Sequence, residues 1–165
     1  MRISRFLMVG LVLVLTACSS SKFKTYYGPE VTKILVDKSK RVMVLMHNTQ
    51  VLKRYNVELG FTSKGHKRFE GDGKTPEGTY YIDRRNPRSS FHLSLGISYP
   101  NRADRAFAKS QGKSPGGDIF IHGQPNAFTP RRSDDWTAGC IAVTNKQMER
   151  IYAMVKTGTE IVIKP

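Results

Sequence analysis

The sequence predicts a mainly β, single-domain protein with one or two helices. Its 165 residues are a usual length for one domain. Short apolar runs rich in Val, Ile and Tyr alternate with turn residues, which is typical of strands. Only two stretches have apolar residues at helical spacing, and the sequence contains no internal repeat.

Seven runs are predicted as strands. The first three are joined by Asp37-Lys38-Ser39-Lys40 and Asn48-Thr49-Gln50, which favour hairpin turns. The predicted strands cover residues 31–37, 41–48, 51–59, 78–85, 92–100, 117–123 and 159–165.

Residues 103–111 and 144–157 are predicted as helices. In the second, Thr144 can cap the N-terminus with Gln147 as its capping-box partner, and Gly158 ends the pattern. Its apolar face is expected to consist of Met148, Ile151, Tyr152 and Val155.

The N-terminus has the layout of an export signal. Two early arginines precede an uncharged run too short to span a bilayer. Leu15-Thr16-Ala17-Cys18 resembles a bacterial lipoprotein box, with a buried N-terminal helix as the alternative. Residues 1–17 are therefore predicted as a signal peptide and 18–30 as a lipidated cysteine with its tether. Residues 31–165 are the expected domain, anchored in the envelope and facing the periplasm, with Ser19 favouring the outer membrane.

Charge and cysteine content limit the partners. The formal net charge is +14. For an exported protein this favours lipid head groups, lipopolysaccharide or carboxylate-rich wall peptides over nucleic acid, and a solvated basic surface is the alternative. With Cys18 lipidated, Cys140 is the one remaining thiol and a candidate reactive group. The four histidines lack the paired spacing of zinc ligands, so no metal or cofactor is expected.

Cys140 and His122 are the candidate catalytic residues. Each lies beside a glycine at the edge of a β-like apolar run. A thiol becomes a strong nucleophile when an imidazole takes its proton, so we expect a sulfur ionised by the histidine. Gly123 allows a sharp turn that brings a backbone oxygen to the imidazole, and Gly139 leaves N–H groups for an oxyanion. An inert buried cysteine is the alternative.

Two motifs are similar to the L,D-transpeptidase catalytic domain of the YkuD type. "GDGKTPEGTYYI" (71–82) resembles that family's TP-x-G segment. The pair "HG" (122–123) and "TAGCI" (137–141) resembles its cysteine signature. The resemblance implies a β-sandwich of mixed sheets and cysteine acyl transfer on peptidoglycan stem peptides through a thioester.

The same resemblance implies roles for individual residues. Cys140 would be the nucleophile and His122 its base. The carbonyl of Gly123 would orient the imidazole, and the N–H groups of Gly139 and Cys140 would stabilise the oxyanion.

The candidate substrate contacts are Thr137, Trp136, Ser98, Tyr99 and His66, with packing as the alternative for Trp136. Asp118 and Asp134-Asp135 are further candidates for orienting a base.

Two departures from the family pattern leave the acyl acceptor open. Ala138 replaces the usual histidine before the motif glycine, and Ala142 replaces an Arg or Asn, as in the YafK-like subgroup. Water in place of an amine would make the protein a hydrolase or amidase that releases wall-bound lipoprotein. A non-catalytic wall-binding lipoprotein is the alternative from another class. Residues 101–117 have the glycines and prolines of a lid.

Overall fold

The structure, a computed structural model, describes residues 21–127 and 134–165. The predicted signal peptide and Cys18 lie outside the described residues. The described part contains eight strands and two helices. The strands are β1 (Lys33–Asp37), β2 (Val42–His47), β3 (Gln50–Asn56), β4 (Gly78–Asn86), β5 (Ser94–Ile97), β6 (Phe120–His122), β7 (Ile141–Ala142) and β8 (Glu160–Lys164), and the helices are α1 (Arg102–Ser110) and α2 (Asn145–Met154).

The strands form one mixed sheet in the order β3-β2-β1-β8-β4-β5-β6-β7. The first three strands make the expected antiparallel meander, and β8 returns parallel to β1. Strand β4 continues the sheet antiparallel to both β8 and β5. Strand β6 pairs antiparallel with β5 and parallel with β7. The prediction of a mainly β single domain with two helices is confirmed.

The sheet curls until its two ends meet. The segment after β3 bridges to the far edge at two points, Glu58 with Ala142 and Gly60 with Thr137. Backbone hydrogen bonds of 2.8–2.9 Å join Glu58 and Ala142 in both directions. Layers that face each other across the core therefore come from a single continuous sheet, and the residues before β7 are backed by another part of the chain.

Helix α2 begins where its cap predicts. In α2 the Thr144 side chain accepts from Gln147 N and the Gln147 side chain accepts from Thr144 N, which completes the capping box. The predicted end at residue 157 is wrong, because the helix stops at Met154 and Val155 has extended backbone. Val155 is fully buried, so the early exit inserts its side chain in the core and turns the chain toward β8.

The predicted tether lies along the domain where it is described. Lys22 Nζ donates to the carbonyls of Pro87 and His92 at 2.8 and 3.1 Å, and Lys24 forms an ion pair with Glu149 at 3.4 Å. Over residues 21–127 and 134–165, none of the helices combines the length and the apolar character needed to cross a membrane.

Candidate active site

Cys140 and His122 lie on adjacent parallel strands. Ile121 pairs with Ile141 and His122 with Ala142, so Cys140 comes immediately before β7, at the level of Phe120. Because side chains alternate along a strand, Cys140, Phe120 and His122 share one face. The sulfur of Cys140 lies 3.4 Å from the N–H of Phe120 and 3.5 Å from the carbonyl oxygen of Asp118.

Both side chains open into one cavity of about 270 Å³. Its other lining residues come from the end of β4, the segment before β5, and the start of β6. The lining consists of Asn86, Ser89, Ser90, Phe91, Ser94, Asp118, Phe120, His122 and Cys140. The thiol and the imidazole therefore line the same cavity, and the side chains of Ser89, Ser90 and Ser94 form part of its wall.

The imidazole of His122 is held at one nitrogen. Its Nδ1 lies 2.6 Å from the Gly123 carbonyl oxygen, which can only accept, so Nδ1 carries the proton and Nε2 keeps a lone pair. Among the described residues Nε2 has no hydrogen-bond partner. The ring of Phe91 lies 4.5 Å from the imidazole and that of Trp136 lies 5.7 Å from it, edge-on. These contacts fix the plane of a buried base.

The pKa shifts of His122 and Cys140 both favour the neutral forms of the two side chains. Burial lowers the pKa of His122, and the hydrogen bond to the Gly123 carbonyl opposes only part of this effect. Burial also raises the pKa of the Cys140 thiol, with the Phe120 N–H acting in the opposite sense. Both directions favour the neutral forms, and the expected transfer of the thiol proton to the imidazole stays a prediction.

The loop before Cys140 is anchored from behind. Asp135 accepts from the N–H of Leu59 at 3.0 Å and forms an ion pair with Arg41. Burial raises the pKa of Asp135, but these hydrogen bonds outweigh it and hold the pKa below its usual value. Thr137 Oγ1 donates to the Cys140 carbonyl at 2.7 Å and accepts from Gly139 N at 3.2 Å.

Gly139 is required by its backbone and by its neighbours. Its φ is +132°, and a Cβ there would lie 2.6 Å from the carbonyl oxygen of Lys74. Lys74 and Thr75 belong to the "GDGKTPEGTYYI" motif (71–82), and Thr75 Oγ1 accepts from the N–H of Gly60 at 3.1 Å. This motif therefore packs against the back of the cysteine loop, where its backbone approaches Gly139 closely.

The two amides expected to stabilise an oxyanion differ in their hydrogen bonding. The N–H of Gly139 already donates to Thr137 within the loop. The N–H of Cys140 has no acceptor among the described residues. Of the two amides expected to bind an oxyanion, Cys140 is the one free to do so.

None of the five expected substrate contacts belongs to the cavity lining. Thr137 is 4% exposed and shapes the loop from below. Tyr99 is buried, with its hydroxyl donating to the Pro115 carbonyl, and Ser98 Oγ accepts from Tyr81 N on the sheet. The ring of His66 is engaged at both nitrogens. These residues were predicted as substrate contacts because they carry polar groups. The local sequence does not distinguish a hydroxyl or imidazole that binds its own chain from one that binds substrate.

Residues around the loop have packing or surface roles. Trp136 packs edge-on against the His122 ring and donates from Nε1 to Glu58. The Asp118 carboxylate is 90% exposed and points to Arg84, so the Gly123 carbonyl is the group that orients His122. Asp135 holds the loop, as described above.

The wall formed by residues 86–94 was missed from the sequence. Asn126 fixes part of it, donating to the Ser89 carbonyl and accepting from the N–H of His92. A run of small polar residues between two predicted strands was the available signal. Residues 101–117, considered as a lid, contribute nothing to the cavity lining, and α1 packs through Phe107 on Phe69.

The two alanines that depart from the family pattern differ in position. Ala138 is exposed, at the outer side of the cysteine loop. Ala142 is fully buried between its partners His122 and Glu58. Only the change at Ala138 leaves a position that an acceptor could reach.

Fold and site together define a class: mainly β domains in which a cysteine and a histidine on adjacent parallel strands share a cavity. The family model of the L,D-transpeptidase catalytic domain, YkuD, matches residues 32–163. The chain belongs to this family, which confirms the prediction from the two motifs.

Comparisons with individual proteins agree. The chain is 30% identical to the Escherichia coli K12 protein named "Putative L,D-transpeptidase YafK" over 70% of the chain and 42% of that protein. The helical cell shape determining protein Pgp2 of Campylobacter jejuni superposes with a TM-score of 0.64 and 28% identity, covering 84% of this chain and 49% of Pgp2. An L,D-transpeptidase of Xylanimonas cellulosilytica, at 14% identity and TM-score 0.52 over 85% and 63% of the two chains, shares the fold. The chain thus spans about half the length of YafK and Pgp2.

Proposed function

We propose that this protein is a cysteine acyl-transfer enzyme acting on peptidoglycan stem peptides, with Cys140 as nucleophile and His122 as general base. The observation that carries the proposal is the shared cavity of the thiol and a singly held imidazole. Membership of the L,D-transpeptidase catalytic domain family gives the substrate class.

The arrangement supports a two-step reaction. In the first step the Cys140 proton passes to His122 Nε2 as the sulfur attacks the carbonyl of the third stem residue. The Cys140 N–H stabilises the oxyanion, and the bond to the fourth residue, D-alanine, breaks. That amine leaves with the proton held by His122, and a thioester remains. In the second step an amine attacks the thioester and gives its proton to His122. The C–S bond then breaks, and His122 returns the proton to the sulfur of Cys140.

Water can replace the amine in the second step. Hydrolysis would release the acyl group, and the outcome depends on whether a bound amine excludes water from the thioester. The exposed position of Ala138, where the family usually has histidine, is the feature of this chain that favours hydrolysis.

The location proposed for this chemistry is the periplasmic face of a membrane, with Cys18 lipidated. The basis is the lipoprotein-like sequence around Cys18. Incorporation of a labelled fatty acid into the protein, lost in Cys18→Ser, would support the anchor. Equal labelling of both proteins would contradict it.

The proposed function can be tested on whole cell walls. The full chain, purified in detergent, is incubated with purified sacculi that carry bound lipoprotein, and the muropeptides are analysed. New crosslinks between third residues, or newly attached lipoprotein, would support transfer, and loss of lipoprotein or of D-alanine would identify hydrolysis at the same cysteine. Cys140→Ala serves as the control and should give no product.

A different result would contradict catalysis. Retention on sacculi without any product, unchanged in Cys140→Ala, would identify a wall-binding protein. Products that persist in Cys140→Ala would assign the chemistry to another residue.

A further inference from the structure

A row of adjacent positions runs across the sheet toward the thiol. Arg84 on β4 pairs with Gly96 on β5, and Gly96 pairs with Phe120 on β6. The N–H of Phe120 in turn contacts the sulfur of Cys140. Neighbouring strands lie about 4.8 Å apart, so the backbone of Arg84 is about three strand spacings from Cys140.

The Arg84 side chain extends over β5 to Phe120, in the direction of the thiol. A Cβ at Gly96 would lie 2.5 Å from Arg84 Cγ and 3.0 Å from its Nε, so the side chain lies flat across β5 because that residue is glycine. The guanidinium carbon then lies 4.5 Å from the centre of the Phe120 ring. Phe120 lines the cavity, and the positive charge is therefore at the cavity rim.

The present partners of this guanidinium are exchangeable. Nη2 donates to Asp118 at 2.9 Å, and Nη1 donates to the neighbouring Asp83 at 2.9 Å. The Asp118 side chain is 90% exposed and that of Arg84 is 43% exposed. An ion pair as exposed as this one contributes about 0–1 kcal/mol, so a second carboxylate could replace Asp118 at little cost. Arginine presents a planar pair of donors that fits a carboxylate.

We propose that Arg84 determines donor specificity by binding a carboxylate of the stem peptide in place of Asp118. This inference rests on the proposed function, because the peptide must lie with its third carbonyl at Cys140. Such a peptide offers two carboxylates near the scissile bond. One is the terminal group of D-alanine, a single residue beyond that bond, and the other ends the side chain of diaminopimelate.

The experiment compares three tetrapeptides with the full-chain protein in detergent. The first contains diaminopimelate and a free D-alanine carboxylate, the second ends in D-alaninamide, and the third has lysine in place of diaminopimelate. Release of the fourth residue gives kcat/KM for wild type, Arg84→Gln and Arg84→Lys. Arg54→Gln, which removes the same charge from exposed β3 at the opposite edge of the sheet, is the matched control.

We expect kcat/KM to fall when either Arg84 or the carboxylate that it binds is removed, with no further fall when both are removed. Arg84→Gln should lower kcat/KM for the first peptide about 10- to 100-fold, since a charge-assisted bidentate contact is lost. It should cause no further loss on the peptide that lacks the bound carboxylate, which identifies the group. The kcat/KM of Arg84→Lys should lie between those of wild type and Arg84→Gln. The kcat/KM of Arg54→Gln should equal that of wild type.

Two outcomes would overturn the inference while leaving the proposed function intact: equal kcat/KM for Arg84→Gln and wild type, or the same loss on all three peptides. Failure of wild type to turn over any peptide would instead contradict the proposed function. In that event calorimetric binding to Cys140→Ala, with and without Arg84→Gln, decides the Arg84 inference. Loss of binding confined to one carboxylate supports it, and absent or uniform binding overturns it.

Discussion

His66 and His122 occupy two regions of the molecule that invite comparison, because each is a largely buried imidazole with a hydrogen bond at Nδ1. In His66, Nδ1 accepts from Glu77 N at 2.8 Å and Nε2 lies 2.9 Å from Asp104 Oδ1. Since a backbone N–H can only donate, the His66 ring must donate from Nε2 to the carboxylate. In His122 the bond is reversed, with Nδ1 donating to a carbonyl.

Of the two imidazoles, this difference leaves only His122 with a ring nitrogen available to accept a proton. Both nitrogens of His66 are used within a network that also includes Tyr80, whose hydroxyl donates to Asp104 at 2.9 Å. His122 keeps a lone pair on Nε2 in a cavity shared with a thiol. Burial alone therefore says little about function. The direction of the hydrogen bond at Nδ1 decides whether the second nitrogen can accept a proton.

The largest expected effect comes from removing the base. His122→Gln should lower the rate of Cys140 acylation by a stem tetrapeptide about 10²- to 10⁴-fold, the usual contribution of general-base catalysis. Mass spectrometry of the acyl-enzyme measures the rate, and circular dichroism verifies that the variant is folded. An unchanged acylation rate in a folded variant would contradict the proposed role of His122 as general base.

A second effect tests the backing of the cysteine loop. Gly139→Ala should destabilise the fold by about 1–3 kcal/mol from backbone strain at φ +132°, with an added collision against the Lys74 carbonyl. Gly112→Ala is the matched control, because Gly112 also has positive φ (+65°) but open space around it. Urea unfolding should show the larger loss for Gly139→Ala. Equal losses would mean that the loop yields to the new side chain.

The structural imidazole should show the opposite pattern to His122. His66→Gln should lower the free energy of unfolding by about 1–3 kcal/mol, since buried partners lose their hydrogen bonds. Asp104→Asn should act in the same direction, and the double variant should lose less than the sum of the two. Acylation per folded molecule should be unchanged. Reduced acylation with full stability would restore His66 as a substrate contact.

The smallest effect concerns pH. Burial lowers the pKa of His122, so its base form persists below the ordinary value of about 6.5, and the acid limb of kcat/KM should lie below that pH. Burial raises the pKa of Cys140, so without substrate the thiolate absorbance at 240 nm should appear only above about pH 8.5. Thiolate absorbance at pH 7 would instead indicate an ion pair at rest.

Much of the fold was predictable because it depends on local patterns. The turns of the meander and the capping box of α2 involve residues close together in sequence. The motifs around Cys140 and His122 predicted the family, and the family match over residues 32–163 confirms that prediction. The end of α2 was misjudged because Val155 leaves the helix to fill a core made by distant strands.

The roles around the site were harder to predict because they depend on long-range contacts. Thr137 and His66 have polar groups suited to substrate, yet both bind their own chain. The reach of Arg84 depends on Gly96, twelve residues away and on another strand. Neither fact has a signature in a local stretch of sequence.

By itself the sequence predicted seven of the eight strands, both helices and the chemical pair of one thiol and one imidazole, because apolar period, caps and motif glycines act over a few residues. The two-residue strand β7 is too short to give such a pattern. The tertiary structure alone decided which imidazole keeps a lone pair in the cavity shared with the thiol and which polar groups are used internally. Curling of the sheet sets those assignments, since it brings Glu58, Lys74 and Cys140 together from separate parts of the chain. The donors and acceptors of these segments find their hydrogen-bond partners only when the segments come into contact in the folded chain.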